Sequence, residues 1–292
     1  MSDKNEKKMD AVKMSPETPR VTTSMQLCQE EVLPQSSEKI ISYKKEQQEL
    51  DKNEPGKIKY TLLQRFFAEL AGTCLLVFGS VGGPIFCDSG IIASSLLSGF
   101  TITCVVHIFH KISMAHYNPA VSISCFLKKY LTLKEMLIYI LAQVLGAFAG
   151  CIFIALCRKG NFDKLGATKI QQYLININDG EEIDAWCYIS ALICELLSTS
   201  IIITFVYSIS EKNNNLGNAL GLIFGATIIM LVLLAGNLTA ASFNPARSLA
   251  PAVLQAIAGG DKDPIKQIWI YIIGPIGGGV LSFFCWKIFE IK

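Results

Sequence analysis

The chain has 292 residues, of which 51% are hydrophobic and 17% charged, with a formal net charge of +2. Near-neutrality excludes the strongly basic surface that a nucleic-acid partner favours. The charge is also unevenly spread: residues 1–59 hold 22 charged side chains, 11 of each sign, whereas 60–292 hold 28 in 233 positions. That is about 12%, half of what an ordinary soluble domain carries.

Residues 1–59 have too little apolar content to bury a core and are interrupted by Pro16, Pro19, Pro34 and Pro55. They are expected to form a polar, largely disordered tail, solvated or acting as a plug or phosphorylation target, in which Ser37–Asp51 is the candidate for a short charged helix. No apolar stretch of useful length lies there, so the first membrane span is expected to serve as its own insertion signal.

From residue 60 onwards, six apolar runs have the roughly 20 residues that a bilayer core requires: 63–86, 93–112, 134–157, 186–208, 217–236 and 268–289. Glu69 and Glu195 are the acidic groups in their interiors. Basic residues of short loops stay on the cytoplasmic side. The tail, the loop bearing Lys111, Lys128, Lys129 and Lys134, and the chain end with Lys287 and Lys292 share one side if both termini are cytoplasmic. The expected location is a plasma or intracellular membrane, in contact with lipid.

Six of the ten cysteines (Cys74, Cys104, Cys125, Cys151, Cys194 and Cys285) lie inside these runs and are expected to be buried small hydrophobes. Cys87, Cys157 and Cys187 near segment ends leave a disulfide open. No metal-ligand spacing or nucleophile–base pair is readable, so neither a metal, a cofactor nor catalysis is expected.

The apolar part is written twice. Phe66-Phe67-Ala68-Glu69-Leu70 and Leu192-Ile193-Cys194-Glu195-Leu196 are offset by 126 residues, and the same offset relates Gly99 to Gly225 and Asn118-Pro119-Ala120 to Asn244-Pro245-Ala246. The repeats, about 60–185 and 186–292, hold three spans each. An odd number forces the second copy to enter from the opposite face, as in inverted-repeat transporters with sites near the midplane.

Asn is a good helix N-cap and Pro suits the first helical turn. Each tripeptide therefore predicts a helix start, giving helices over about 119–127 and 245–256, too short to span. Such stubs are tolerated at membrane depth only when packed in protein or lining a water-filled cavity. Entering from opposite faces, they meet tip to tip. Each tip carries roughly half a positive elementary charge, so the pair repels cations, hydronium included, while the Asn amides donate to a passing oxygen. Arg247, one turn past Asn244, adds a permanent charge and several donors.

His116-Tyr117-Asn118-Pro119-Ala120-Val121 and Ser242-Phe243-Asn244-Pro245-Ala246-Arg247-Ser248 resemble the two signature loops of the aquaporin, or major intrinsic protein, family. Ala68-Glu69-Leu70-Ala71-Gly72-Thr73 and Gly274-Pro275-Ile276-Gly277-Gly278 are similar to it as well. The resemblance covers 60–292 and implies an all-α membrane fold of six transmembrane helices and two re-entrant half-helices, one pore per subunit, and a homotetramer. It implies a selectivity filter of Ser98, Val232, Ala241 and Arg247, and a loop-supporting role for Glu69 and Glu195 by hydrogen bonding to loop backbone; His116 reads as a loop brace. Three of those filter positions are small. They depart both from strict water channels, which typically have Phe and His at the first two, and from glycerol channels, which place aromatic residues there. Ser248 and Tyr271 look like the water-channel branch, whereas Ile272 replaces its usual Trp.

The function expected is a passive channel for water and small uncharged solutes such as glycerol, urea or ammonia, excluding protons and ions. The alternatives are a solute channel that conducts water poorly and a junctional protein of the same fold. The sequon at Asn237-Leu238-Thr239 falls at the pore vestibule and is not expected to be glycosylated. The loop 211–217 is a candidate gate.

Overall fold

The computed structural model describes residues 60–86, 90–177, 182–210 and 219–289. The expected tail, Cys87 and the 211–217 loop lie outside them. The described residues form α1 (Leu62–Phe86), α2 (Gly90–Ser113), α3 (Pro119–Leu127), α4 (Leu133–Cys157), α5 (Gln172–Ile177), α6 (Ala185–Ser210), α7 (Leu220–Thr239), α8 (Pro245–Ile257), α9 (Asp263–Lys266) and α10 (Ile268–Phe289).

Six of these helices, each of 20–26 residues, are long and apolar enough to cross a membrane. At 1.5 Å per residue the 25 residues of α1 reach roughly 37 Å, beyond the ~30 Å hydrocarbon core. The nine residues of α3 and thirteen of α8 reach about 13 and 20 Å, so neither crosses and together they make one span. The protein is an integral, multi-pass all-α membrane protein.

The boundaries follow local chemistry. Thr132 caps α4 through a capping box with Glu135, and Arg65 pairs with the same Glu135, tying the start of α1 to the start of α4. The expected span 217–236 is observed as Leu220–Thr239. The apolar run ends at Gly236, but the helix runs on through Thr239 and stops where Ala240 turns left-handed, its N–H still closing on the Gly236 carbonyl, 3.0 Å away.

The two repeats pack as mirror partners in topology. α1 packs on α4 and α6 packs on α10, while α2 and α7, the second spans of each repeat, cross one another. The half-helices are exchanged: α3 of the first repeat packs on α10, and α8 of the second packs on α4. At the α2–α7 crossing, a Cβ on Gly99 would lie 2.6 Å from the Gly225 carbonyl, and one on Gly225 would lie 2.5 Å from that of Gly99. The backbones therefore touch, which only glycine permits. Gly99→Val is expected to force the helices apart at an overpacking cost of about 1–3 kcal/mol, read as a lowered thermal midpoint in detergent; an unchanged midpoint would remove the crossing from the account.

Large apolar side chains such as Leu63, Phe67, Phe78, Leu137, Leu141, Ile193 and Leu234 point outward, as helices facing lipid require. This corrects one expectation. Cys74, Cys125 and Cys151 are buried, but Cys104 is exposed and Cys194 and Cys285 are half-buried: an apolar run does not reveal which of its faces meets lipid. Cys157 is a free, exposed thiol and Cys187 is buried.

Candidate functional site

The site begins with two strained loops. Met114 (φ 68°), Ala115 (57°) and Tyr117 (50°) adopt left-handed backbone, and so do Ala240 (62°), Ala241 (49°) and Phe243 (57°), their counterparts at the repeat offset. For non-glycine residues this costs roughly 1–2 kcal/mol each. Two buried carboxylates hold the loops in place. Glu69 Oε1 accepts from Ser113 Oγ (2.6 Å) and His116 N (3.0 Å), and its Oε2 from Tyr117 N (2.7 Å) and Gln143 Nε2 (2.8 Å). Glu195 Oε1 accepts from Thr239 Oγ1 (2.7 Å) and Ser242 N (3.0 Å), and its Oε2 from Phe243 N (2.7 Å). Every partner can donate, which matches the acceptor-only, ionised form of a carboxylate. His116 Nδ1 lies 3.1 Å from Ser122 Oγ, and its ring packs edge-on against Tyr139.

Each loop delivers an Asn to a helix start. Asn118 has extended backbone and its Oδ1 accepts from Ala120 N (2.9 Å); Asn244 Oδ1 accepts from Ala246 N (3.0 Å) and Arg247 N (3.3 Å). Pro119 and Pro245 occupy the first helical position, where no N–H is needed. The amides do more than the sequence implied. Asn118 Nδ2 donates to the Phe243 carbonyl and Asn244 Nδ2 to that of Tyr117, both at 2.8 Å. Each Asn thus caps its own half-helix and ties it to the opposite loop, leaving one amide N–H.

Those N–H groups border a cavity of about 100 Å³ that is also lined by Ser98, Val232, Ala241, His116 and Arg247. A water needs roughly 10–15 Å³ of such volume, so several fit in file. Pro119, Ala120, Pro245 and Ala246 are buried behind the tips, and Glu69 and Glu195 behind the loops. A second, apolar cavity of about 30 Å³ lies beside Val106, Val206, Leu220 and His110, sharing His116, Val121 and Phe224 with the first.

Arg247 is 7% exposed and pairs with no carboxylate among the described residues. Its Nη1 donates to the Gly166 carbonyl at 3.3 Å, so the remaining donors are available to the cavity. Gly166 belongs to the 158–185 connection, which the sequence presents as a long charged loop. It instead folds over the site. Leu165 is fully buried, Thr168 Oγ1 lies 2.7 Å from Ser248 Oγ, and Gln171 N donates to the Leu238 carbonyl. Lys169 pairs with Asp261 at 2.5 Å and holds that carboxyl below its ordinary range. The pair is partly exposed, so it contributes under about 1 kcal/mol. Gly166 and Thr168 escaped the sequence reading; a lone buried Leu among charges was the available signal.

Six spans, two half-helices joined tip to tip and a cavity at the junction bordered by Asn118, Asn244 and Arg247 define a membrane channel built on an inverted repeat. The chain belongs to the major intrinsic protein family, whose family model matches residues 57–286. It is 28% identical over 226 residues to the glycerol uptake facilitator protein-like 6 of Lactiplantibacillus plantarum, covering 77% of this chain and 98% of that protein. It is 25% identical over 262 residues to nodulin-26 of Glycine max, covering 87% and 88%. Among solved structures, the aquaglyceroporin from Plasmodium falciparum shares the fold with a TM-score of 0.67 at 23% identity, over 78% of this chain and 96% of that one.

Proposed function

We propose that this channel passes water together with small uncharged solutes such as glycerol, urea or ammonia, and excludes protons and ions. The observation that supports it best is one cavity bordered at once by Asn118, Asn244, Arg247 and the small side chains of Ser98, Val232 and Ala241. In this reading the four last-named residues form the constriction. Val, Ala and Ser leave it wider than aromatic residues would. Arg247 and the two helix tips make it hostile to cations. The remaining amide N–H of each Asn donates to the oxygen of a passing water, occupying its lone pairs so that it can donate to its neighbours but not accept from them, which breaks the relay a proton would need. Glu69, Glu195 and His116 hold the loops that aim these donors. The channel works as a homotetramer in a plasma or intracellular membrane, with both termini cytoplasmic and residues 1–59 forming a separate polar tail.

A second reading has a specific observation behind it. The inner cavity is small and largely apolar, walled by Val106, Val121, Val206, Leu220 and Phe224 with His110, His116 and Ser210 as its polar members, surroundings that offer water few partners, and this favours a channel that carries a solute better than water. Osmotic shrinkage of reconstituted vesicles, driven in turn by an impermeant osmolyte, glycerol and urea, separates the two. The first reading expects water and glycerol both to cross faster than through protein-free lipid. Fast glycerol with slow water selects the second, and lipid-like rates for all three sink both.

A further inference from the structure

We propose that Ser80 is a specificity-determining residue of this channel, a hydrogen-bonding station for small polyols about 3 Å along the passage from Ser98 of the constriction. The inference rests on the proposed passage of uncharged solutes. It comes from a wall of the cavity that the signature loops do not build. Leu76, Ser80 and Pro84 of α1 all line the cavity, and their spacing of four residues sets them in one stripe along the helix. Ser80 is the polar member of that stripe, and its Oγ is buried with no hydrogen-bond partner among the described residues.

Two further facts single it out. First, Pro84 lies inside α1 and has no N–H, so it cannot supply the bond that a regular helix would give to the Ser80 carbonyl four residues earlier. Ser80 thus combines an unused hydroxyl with a carbonyl deprived of its ladder donor. Secondly, the other serines on this side are already engaged. Ser94 Oγ donates to the Gly90 carbonyl (3.1 Å) and Ser98 Oγ to that of Ser94 (2.8 Å). The height along the passage follows from neighbouring glycines. A Cβ on Gly79 would strike Thr101, and one on Gly83 would strike Leu97. By interpolation Ser80 stands level with Phe100, two residues or about 3 Å along the axis from Ser98.

The opposite wall holds donors, the guanidinium of Arg247 and the amide of Asn244. A polyol hydroxyl needs an acceptor as well as a donor. Water in file finds its acceptor in the next water, but a polyol displaces those neighbours and depends on the wall. Ser94 and Ser98 have spent their protons on backbone carbonyls and can only accept, whereas Ser80 can both donate and accept, so its loss should burden the polyol more than water.

The test uses the full chain in vesicles, with water and glycerol permeability measured on the same preparation for wild type, Ser80→Ala and Ser80→Thr. The alanine variant is expected to lower the glycerol-to-water permeability ratio about three- to tenfold, the worth of one net hydrogen bond, while threonine keeps the ratio within about twofold of wild type. An unchanged ratio in Ser80→Ala, including an equal fall of both fluxes, overturns the inference. So does a threonine variant that behaves like alanine. A wild-type channel that carries glycerol but ignores the alanine exchange overturns this inference alone; a wild-type channel closed to glycerol overturns the proposed passage of polyols as well.

Discussion

Glu195→Gln is expected to yield a channel destabilised by about 3–5 kcal/mol, with a clear fall in both folded yield and thermal midpoint. The carboxylate receives Thr239 Oγ1, Ser242 N and Phe243 N. An amide in its place turns one acceptor oxygen into a donor that faces a backbone N–H, and it forfeits charge-assisted bonds of about 1.5–3 kcal/mol each. The left-handed residues Ala240, Ala241 and Phe243 then lose the partner that holds them. Glu69→Gln follows the same logic with a smaller loss. Gln143 donates to Glu69, and its own Oε1 is buried without a partner among the described residues, so a turned Gln143 amide can accept from the new side chain. Thermal unfolding of the two variants in one detergent checks the order. Equal midpoints to wild type would mean that the carboxylates do not support the loops.

Arg247→Val is expected to leave water flux in place and to admit cations. At an effective dielectric of about 20, a unit charge roughly 5 Å from a monovalent cation costs that cation about 3 kcal/mol, so removing it raises cation entry on the order of a hundredfold. The two helix tips remain, with roughly half a charge each, and exclusion should be weakened rather than abolished. Arg247→Lys retains the charge and should retain the exclusion. Vesicles carrying a potassium diffusion potential and an internal pH dye report the leak. An unaltered leak in the valine variant would assign exclusion to the tips alone.

Much of this architecture was legible in the sequence because its signals are of the kind that sequence carries. Span length is fixed by bilayer thickness, so six runs located six helices to within a few residues. Asn followed by Pro is a helix start, and α3 and α8 begin where Pro119 and Pro245 stand. The 126-residue offset paired Glu69 with Glu195 and Gly99 with Gly225. What stayed hidden depends on tertiary placement. Met114, Ala115 and Tyr117 have no intrinsic preference for left-handed backbone; they adopt it because Glu69 binds the neighbouring N–H groups. The carbonyl of Gly166 reaches Arg247 only because a polar connection folds inward around Leu165. The cross-bonds from Asn118 and Asn244 join loops 125 and 127 residues apart, and no local pattern encodes them. Ser80 looks like any small residue in an apolar run until its place on the cavity wall is known.

The most direct test of two capped helix tips meeting at a wet, cation-repelling passage is to follow volume and internal pH together in the same reconstituted vesicles after an osmotic and a proton gradient are imposed. The account predicts water flux well above that of protein-free lipid, with proton entry no faster than the lipid allows. Proton entry that rises in step with water flux, or water flux no faster than lipid, would contradict it.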